Sequence, residues 1–203
     1  MSRFIDEAIE KAGLMPLLTA CRAGDLEGVR ASMPAWSAAD LLVLGAVAEA
    51  LRSGDTGAVV YIHADGQRGT VHDGRHANVT WVESGTGTSE LDLLRAVAVA
   101  RIAGGARARI GVDWGQCGME LAQVALGFGA SDLRGPITRK SGLPIFDEEK
   151  LKVKGQGMVD LRAIKKREIA ALITHAGLVP TFLEDEEAAP RARESAHEVP
   201  HHV

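Results

Sequence analysis

From residue 58 onward the chain alternates short β-rich runs with longer stretches of helical period, and this alternation limits its fold more than any other feature. Ala58 to His63 (AVVYIH) is β-branched and aromatic, and His76 to Val82 (HANVTWV) follows as a second strand. Glu90 to Ile102 (ELDLLRAVAVARI) returns to helical spacing, and Ala108 to Asp113 (ARIGVD) reads as a buried strand. Glu120 to Phe128 is an amphipathic helix stopped by Gly129. A strand over Asp132 to Ile137, a helix over Lys166 to His175 and a last strand over Val179 to Leu183 complete the series. Strand, helix and strand in succession pack as parallel β with right-handed crossovers. The pattern therefore predicts an α/β domain.

Ahead of this region the chain reads as helical. Phe4, Ile5, Ala8, Ile9 and Ala12 recur at helical spacing, Leu14 to Arg22 is apolar up to Gly24, and SAADLLVLGAVAEALR presents Leu41, Leu44, Val47, Ala48 and Leu51 as one stripe. Ser37 is expected to cap that helix, with Asp40 three residues on imitating a capping box. A short hairpin is expected around Asp65-Gly66. Three units follow: residues 1–53 as an N-terminal helical segment, 54–183 as the α/β body, and 184–203 as a charged, aperiodic tail of the kind that does not fold.

Composition excludes several classes. At 203 residues the chain suits one well-cored domain rather than two. A net charge of −4 gives no footprint for nucleic acid, and an aromatic content of 4% supplies no base-stacking platform. No apolar run approaches the roughly 20 residues of a membrane span, and the first residues carry acids instead of a signal-peptide core. Two isolated cysteines, Cys21 and Cys117, form no disulfide framework. A cytoplasmic protein is the expectation.

Three blocks carry a resemblance: LRAVAVARI, then DWGQCGMELAQVALGFGASDLRG, then the HAGLVPT ending. Together with ADLLVLGAVAEALR and GRHANVT they resemble the C-terminal half of the radical SAM enzymes of the futalosine route to menaquinone, aminofutalosine synthase and dehypoxanthine futalosine cyclase. The resemblance touches most of residues 37–183, and LAQVALGFGASDL is its most specific piece. It implies a partial (βα)8 barrel with N-terminal helices. Where that family carries three cluster-binding cysteines, register from RHANVT puts Glu83, Gly87 and Glu90. Two carboxylates and a glycine cannot replace thiolates on a [4Fe–4S] cluster, and several βα units of the barrel are missing. No cofactor, no metal and no catalytic residue are therefore expected.

What remains is a candidate ligand face. His76, Asn78 and Thr80 share one side of their strand, turned either to a barrel interior or to solvent. Asp113, Trp114 and Gln116 end a buried strand, where α/β proteins hold ligands. By the resemblance Trp114 falls on the family's tryptophan, where it would stack on a planar ring or pack at the rim, and Asp132 on the second acid of its G-A-D-D motif, as ligand group or turn cap. Cys117 has no paired base, and Lys140, Lys152 and Lys154 share a loop with acids. His197, His201 and His202 lie with Glu198 in the tail. Two functions stay open: a catalytically degenerate protein that binds a small metabolite or assists a menaquinone-pathway enzyme, and a non-radical enzyme acting on a nucleoside-like or aromatic metabolite. Open sheet edges and a bared barrel interior predict a homodimer or an obligate partner, unless the N-terminal helices fold over the open side.

Overall fold

The computed structural model describes residues 3–55, 57–64, 79–85, 87–138, 150–153, 157–160 and 164–183. The hairpin expected at Asp65-Gly66, the tail from residue 184, and residues His76, Asn78, Lys140 and Lys154 lie outside them. Five helices open the chain: α1 (Arg3–Lys11), α2 (Met15–Ala23), α3 (Leu26–Ala31), α4 (Met33–Trp36) and α5 (Leu41–Asp55). Then come β1 (Val59–Ala64), β2 (Val79–Val82), α6 (Glu90–Gly104), β3 (Arg109–Asp113), α7 (Trp114–Cys117), α8 (Met119–Leu126) and β4 (Asp132–Gly135). The remainder is β5 (Ile137–Thr138), β6 (Lys150–Val153), β7 (Gly157–Asp160), β8 (Ile164–Lys165), α9 (Lys166–His175) and β9 (Val179–Phe182).

The main sheet is parallel, in the order β2-β3-β4-β1-β9, and it is open, with β2 and β9 at its edges. β5 and β8 form a small parallel pair, and β6 and β7 an antiparallel one. The strand expected over Asp132 to Ile137 divides in two because Pro136, which has no N–H to donate, separates β4 from β5.

Register decides what each face does. Val112, Leu133 and Ile62 are cross-strand partners, and with Val60 and Ile110 they pack against Leu93, Leu94 and Val97 of α6, Met119, Ala122 and Leu126 of α8, and Ile169 and Ile173 of α9. All three crossover helices thus lie on one side of the sheet. The N-terminal helices do not fold over the other side. Ile9, Leu18, Val29, Trp36, Leu44, Val47 and Leu51 form a second core around Ala98 and Ile102, on the outer flank of α6. No described helix is long and apolar enough to cross a membrane.

The start of α5 differs from expectation. Ser37 is not its cap. Asp40 accepts hydrogen bonds from the Leu42 and Val43 amides at 2.9 and 3.2 Å. The Ser37 and Ala39 carbonyls are instead taken by Arg95 Nη1 of α6, at 2.9 and 2.8 Å. The cap thus stands three residues later than expected, and a donor from a neighbouring helix, which periodicity does not register, holds the carbonyls ahead of it.

The core tolerates little change at Gly135, where an added Cβ would sit 2.4 Å from the buried Trp114 ring. Gly135→Ala is expected to cost about 1–3 kcal/mol through overpacking, a drop of roughly 2–10 °C in Tm. Gly54→Ala, which meets nothing within 4 Å, should leave Tm unchanged or raise it. Thermal unfolding followed by circular dichroism compares the two.

Candidate functional site

The face of the sheet opposite the helices carries a different chemistry. Trp81, Gly111, Asp132, Tyr61 and Thr181 form one cross-strand row, and Asp113, Arg134 and His63 form the next row toward the C-terminal ends. Arg109 sits two residues before Gly111, on the same side. The strands that build the core through Val60, Ile62, Ile110, Val112 and Leu133 thus present charge and aromatic rings on their second face. Every described helix contributes to one of the two cores, so none covers this face.

Asp132 is its centre, fully removed from solvent. Arg109 grips the carboxylate with two nitrogens, Nε at 2.7 Å from Oδ2 and Nη2 on Oδ1. His63 Nε2 lies 2.8 Å from Oδ1, and Ser131 Oγ donates to Oδ2 at 2.8 Å. Burial alone would raise the Asp132 pKa, but the hydrogen bonds from His63 and Arg109, the Arg109 charge and the Ser131 hydroxyl together hold it below the usual carboxylate range. An ionised carboxylate only accepts, so Nε2 of His63 donates to Asp132. Ser131 also accepts from the Ile110 amide at 3.1 Å, which ties the turn before β4 to β3.

Around this centre the aromatic groups stack. The Arg109 guanidinium lies 3.7 Å over the Tyr61 ring. Trp81 reclines across Gly111, where any Cβ would come within 2.4 Å of its ring. His63 meets the Trp81 ring edge-on at 5.2 Å, and Arg134 covers it at 4.3 Å. Arg134 Nε also donates to Asp113 Oδ2 at 3.0 Å.

The expected site residues divide. Asp113 and Asp132 share this face. Asp113 is occupied by Arg134, by the Gly115 amide at 2.9 Å and by the exposed Gln116 side chain at 3.4 Å, so it fixes the β3–α7 corner. Trp114 points the other way. It is 1% exposed inside the main core, and its indole N–H has no partner among the described residues. Thr80 pairs in register with Ile110, which places it on the helix-covered side at the sheet edge, where it is exposed. On that strand Trp81, not Thr80, joins the polar face. Glu83 and Glu90 are exposed. Cys21 and Cys117 are thiols whose burial pushes their pKa up to about 11, so neither is a ready thiolate.

Sequence reading missed His63, Arg109, Arg134, Tyr61 and Trp81. A signal for them existed: Arg109 and Asp113 flank Gly111 at period 2 in a strand otherwise buried, and Asp132 and Arg134 repeat the spacing in the next. Charges at every second position of core strands mark a second, polar face.

Asp132→Asn removes the acceptor that neutralises Arg109 and should cost about 3–5 kcal/mol. Because the folded pKa of Asp132 lies below its unfolded value of about 3.9, its contribution is complete above that pH and is lost as pH falls through the folded value. Urea unfolding between pH 3 and 7 should show an acid-side decline in the unaltered chain and a shallower one in Asp132→Asn.

Compared with known proteins, the chain matches no family model, and no curated sequence matches it significantly. The candidate site therefore stands on its geometry.

Proposed function

We propose that the protein is a catalytically degenerate, cytoplasmic relative of the futalosine-route radical SAM enzymes, which binds a small metabolite on the polar face of its sheet and assists a menaquinone-pathway enzyme. The observation that carries this reading is the division of the sheet. A face closed only by packing would be apolar, and a plain solvent face would not bury Asp132 beneath three side-chain donors. From that buried centre Asp113, Arg134 and His63 carry the polar face toward the C-terminal ends of the strands, where α/β proteins bind small molecules.

The strand order supports descent from a (βα)8 barrel. β2, β3 and β4 follow one another with α6 and α8 on one side, as successive βα units do. β1 lies between β4 and β9, so the likeness to a barrel is carried by β2, β3 and β4 alone. Glu83, Gly87 and Glu90 offer an iron–sulfur cluster no thiolate, and Cys21 and Cys117 belong to α2 and α7.

The His63–Asp132 pair favours the second reading, a non-radical enzyme acting on a nucleoside-like or aromatic metabolite. An imidazole oriented by a carboxylate is the arrangement of a general base.

Futalosine tests both. Trp36 and Trp114 are buried at 4% and 1% exposure, so Trp81 is the tryptophan that reports on this face. Titration should quench its fluorescence saturably, in the unaltered chain and in Trp36→Phe, with the response lost in Trp81→Phe. A flat titration, or quenching that survives Trp81→Phe, overturns the reading. Conversion of futalosine during incubation selects the enzyme.

We propose self-association as well. The Val179 and Leu183 amides bond inward to β1, so Pro180 stands where β9 would direct a donor outward. β2 has no proline and ends the sheet at the exposed Thr80. Light scattering should give twice the 21.5 kDa chain mass, and Thr80→Pro should return it to one.

A further inference from the structure

Among the described residues, two polar groups on this face remain unused. Arg134 spends Nε on Asp113 and its π-surface on Trp81. Among the described residues neither of its terminal nitrogens has a partner, and its side chain keeps 18% of its exposure. His63 spends Nε2 on Asp132, and Nδ1 has no partner among the described residues, at 8% side-chain exposure. The two are register partners on adjacent strands, with origins about 4.8 Å apart, and both touch the Trp81 ring. Both are thus held against one ring, Arg134 with a two-donor fork and His63 with one further nitrogen.

That combination selects a ligand. Two parallel N–H donors bind two oxygens of one anion. The third contact differs in kind, because in a neutral imidazole whose Nε2 donates to Asp132 the Nδ1 atom can only accept. A carboxylate, with both oxygens on the fork, has nothing to donate to it. Sulfate has a third oxygen but no proton at neutral pH. Hydrogen phosphate supplies both, two oxygens for Arg134 and an O–H for His63. Asp113 sits on the Nε edge of the guanidinium and balances Arg134, and Asp132 is matched by Arg109, so the charges around the pair sum to zero and the contacts rather than net charge select the anion.

We infer that His63 and Arg134 form a phosphate site, Arg134 Nη1 and Nη2 donating to two oxygens of a hydrogen phosphate and His63 Nδ1 accepting its proton, with sulfate excluded. The inference rests on the proposal above only in taking the same face as the binding surface.

Calorimetric titration of the full chain with inorganic phosphate and with sulfate, at pH 7 and equal ionic strength, tests it. Phosphate should bind saturably and sulfate at least about tenfold more weakly, since the sulfate complex lacks one charge-assisted bond and sets an oxygen against the Nδ1 lone pair. Arg134→Gln should weaken phosphate about ten- to hundredfold, and Arg134→Lys, which keeps charge without the fork, should fall between. His63→Gln, whose amide can donate, should bring the two anions to similar affinity. The exposed Arg107→Gln should change neither, and thermal unfolding establishes that each variant is folded. Equal affinity for both anions in the unaltered chain, no saturation by phosphate, or phosphate binding unaffected by Arg134→Gln overturns the inference. Futalosine binding in a chain that ignores phosphate would sink this site alone; phosphate binding without futalosine would sink the metabolite reading alone.

Discussion

A single buried carboxylate joins the middle of this sheet. Asp132 opens β4, and its oxygens receive Arg109 from β3 and His63 from β1, so three adjacent strands meet through one side chain. Taking a carboxylate fully out of water costs several kcal/mol, and the site meets that cost with a bidentate guanidinium, an imidazole and a hydroxyl. Arg109 is the indispensable partner: with it absent, a charge would be left in a medium that cannot screen it. The same bonds set the tautomer of His63, the position of Arg109 over Tyr61 and the turn at Ser131. Much of the chemistry available on this face follows from one acid.

The elements themselves were legible. β1, α6, β3, α8, α9 and β9 all fall within a few residues of where period and punctuation put them, because each buries an apolar stripe against the same core. Which residues share a site was not. Asp113 and Trp114 are neighbours in sequence and lie on opposite sides of the sheet, the first capping a corner and the second stacked on Gly135. Thr80 was expected among the polar side chains because its strand alternates, yet register with Ile110 gives that side to the helices. Period 2 identifies two faces without saying which is the core. The answer came from neighbouring strands, whose apolar positions outvote a single threonine.

The same logic explains why the N-terminal helices sit where they do. The second face of the sheet is charged, and it has no apolar stripe to offer α5. The outer flank of α6 does, through Ala98 and Ile102, and small residues there let Ala48 and Leu51 approach closely. Arg95 of α6 secures the contact by taking the carbonyls that precede α5. The helices therefore thicken the covered side and leave the polar face alone.

Glycine completes the division of labour between the faces. Gly111 lets Trp81 lie flat on the polar side, and Gly135 lets Trp114 lie flat on the core side, one strand away. Each indole covers backbone that a side chain would otherwise occupy, and each would be lifted by a single methyl. The consequences differ. In the core, Trp114 fills volume between α7 and β4. On the polar face, a flat Trp81 keeps the space above it low, brings His63 and Arg134 against one ring, and holds both at the C-terminal end of the sheet. Two glycines on adjacent strands thus let similar side chains do opposite work, one closing the core and the other flooring the polar face.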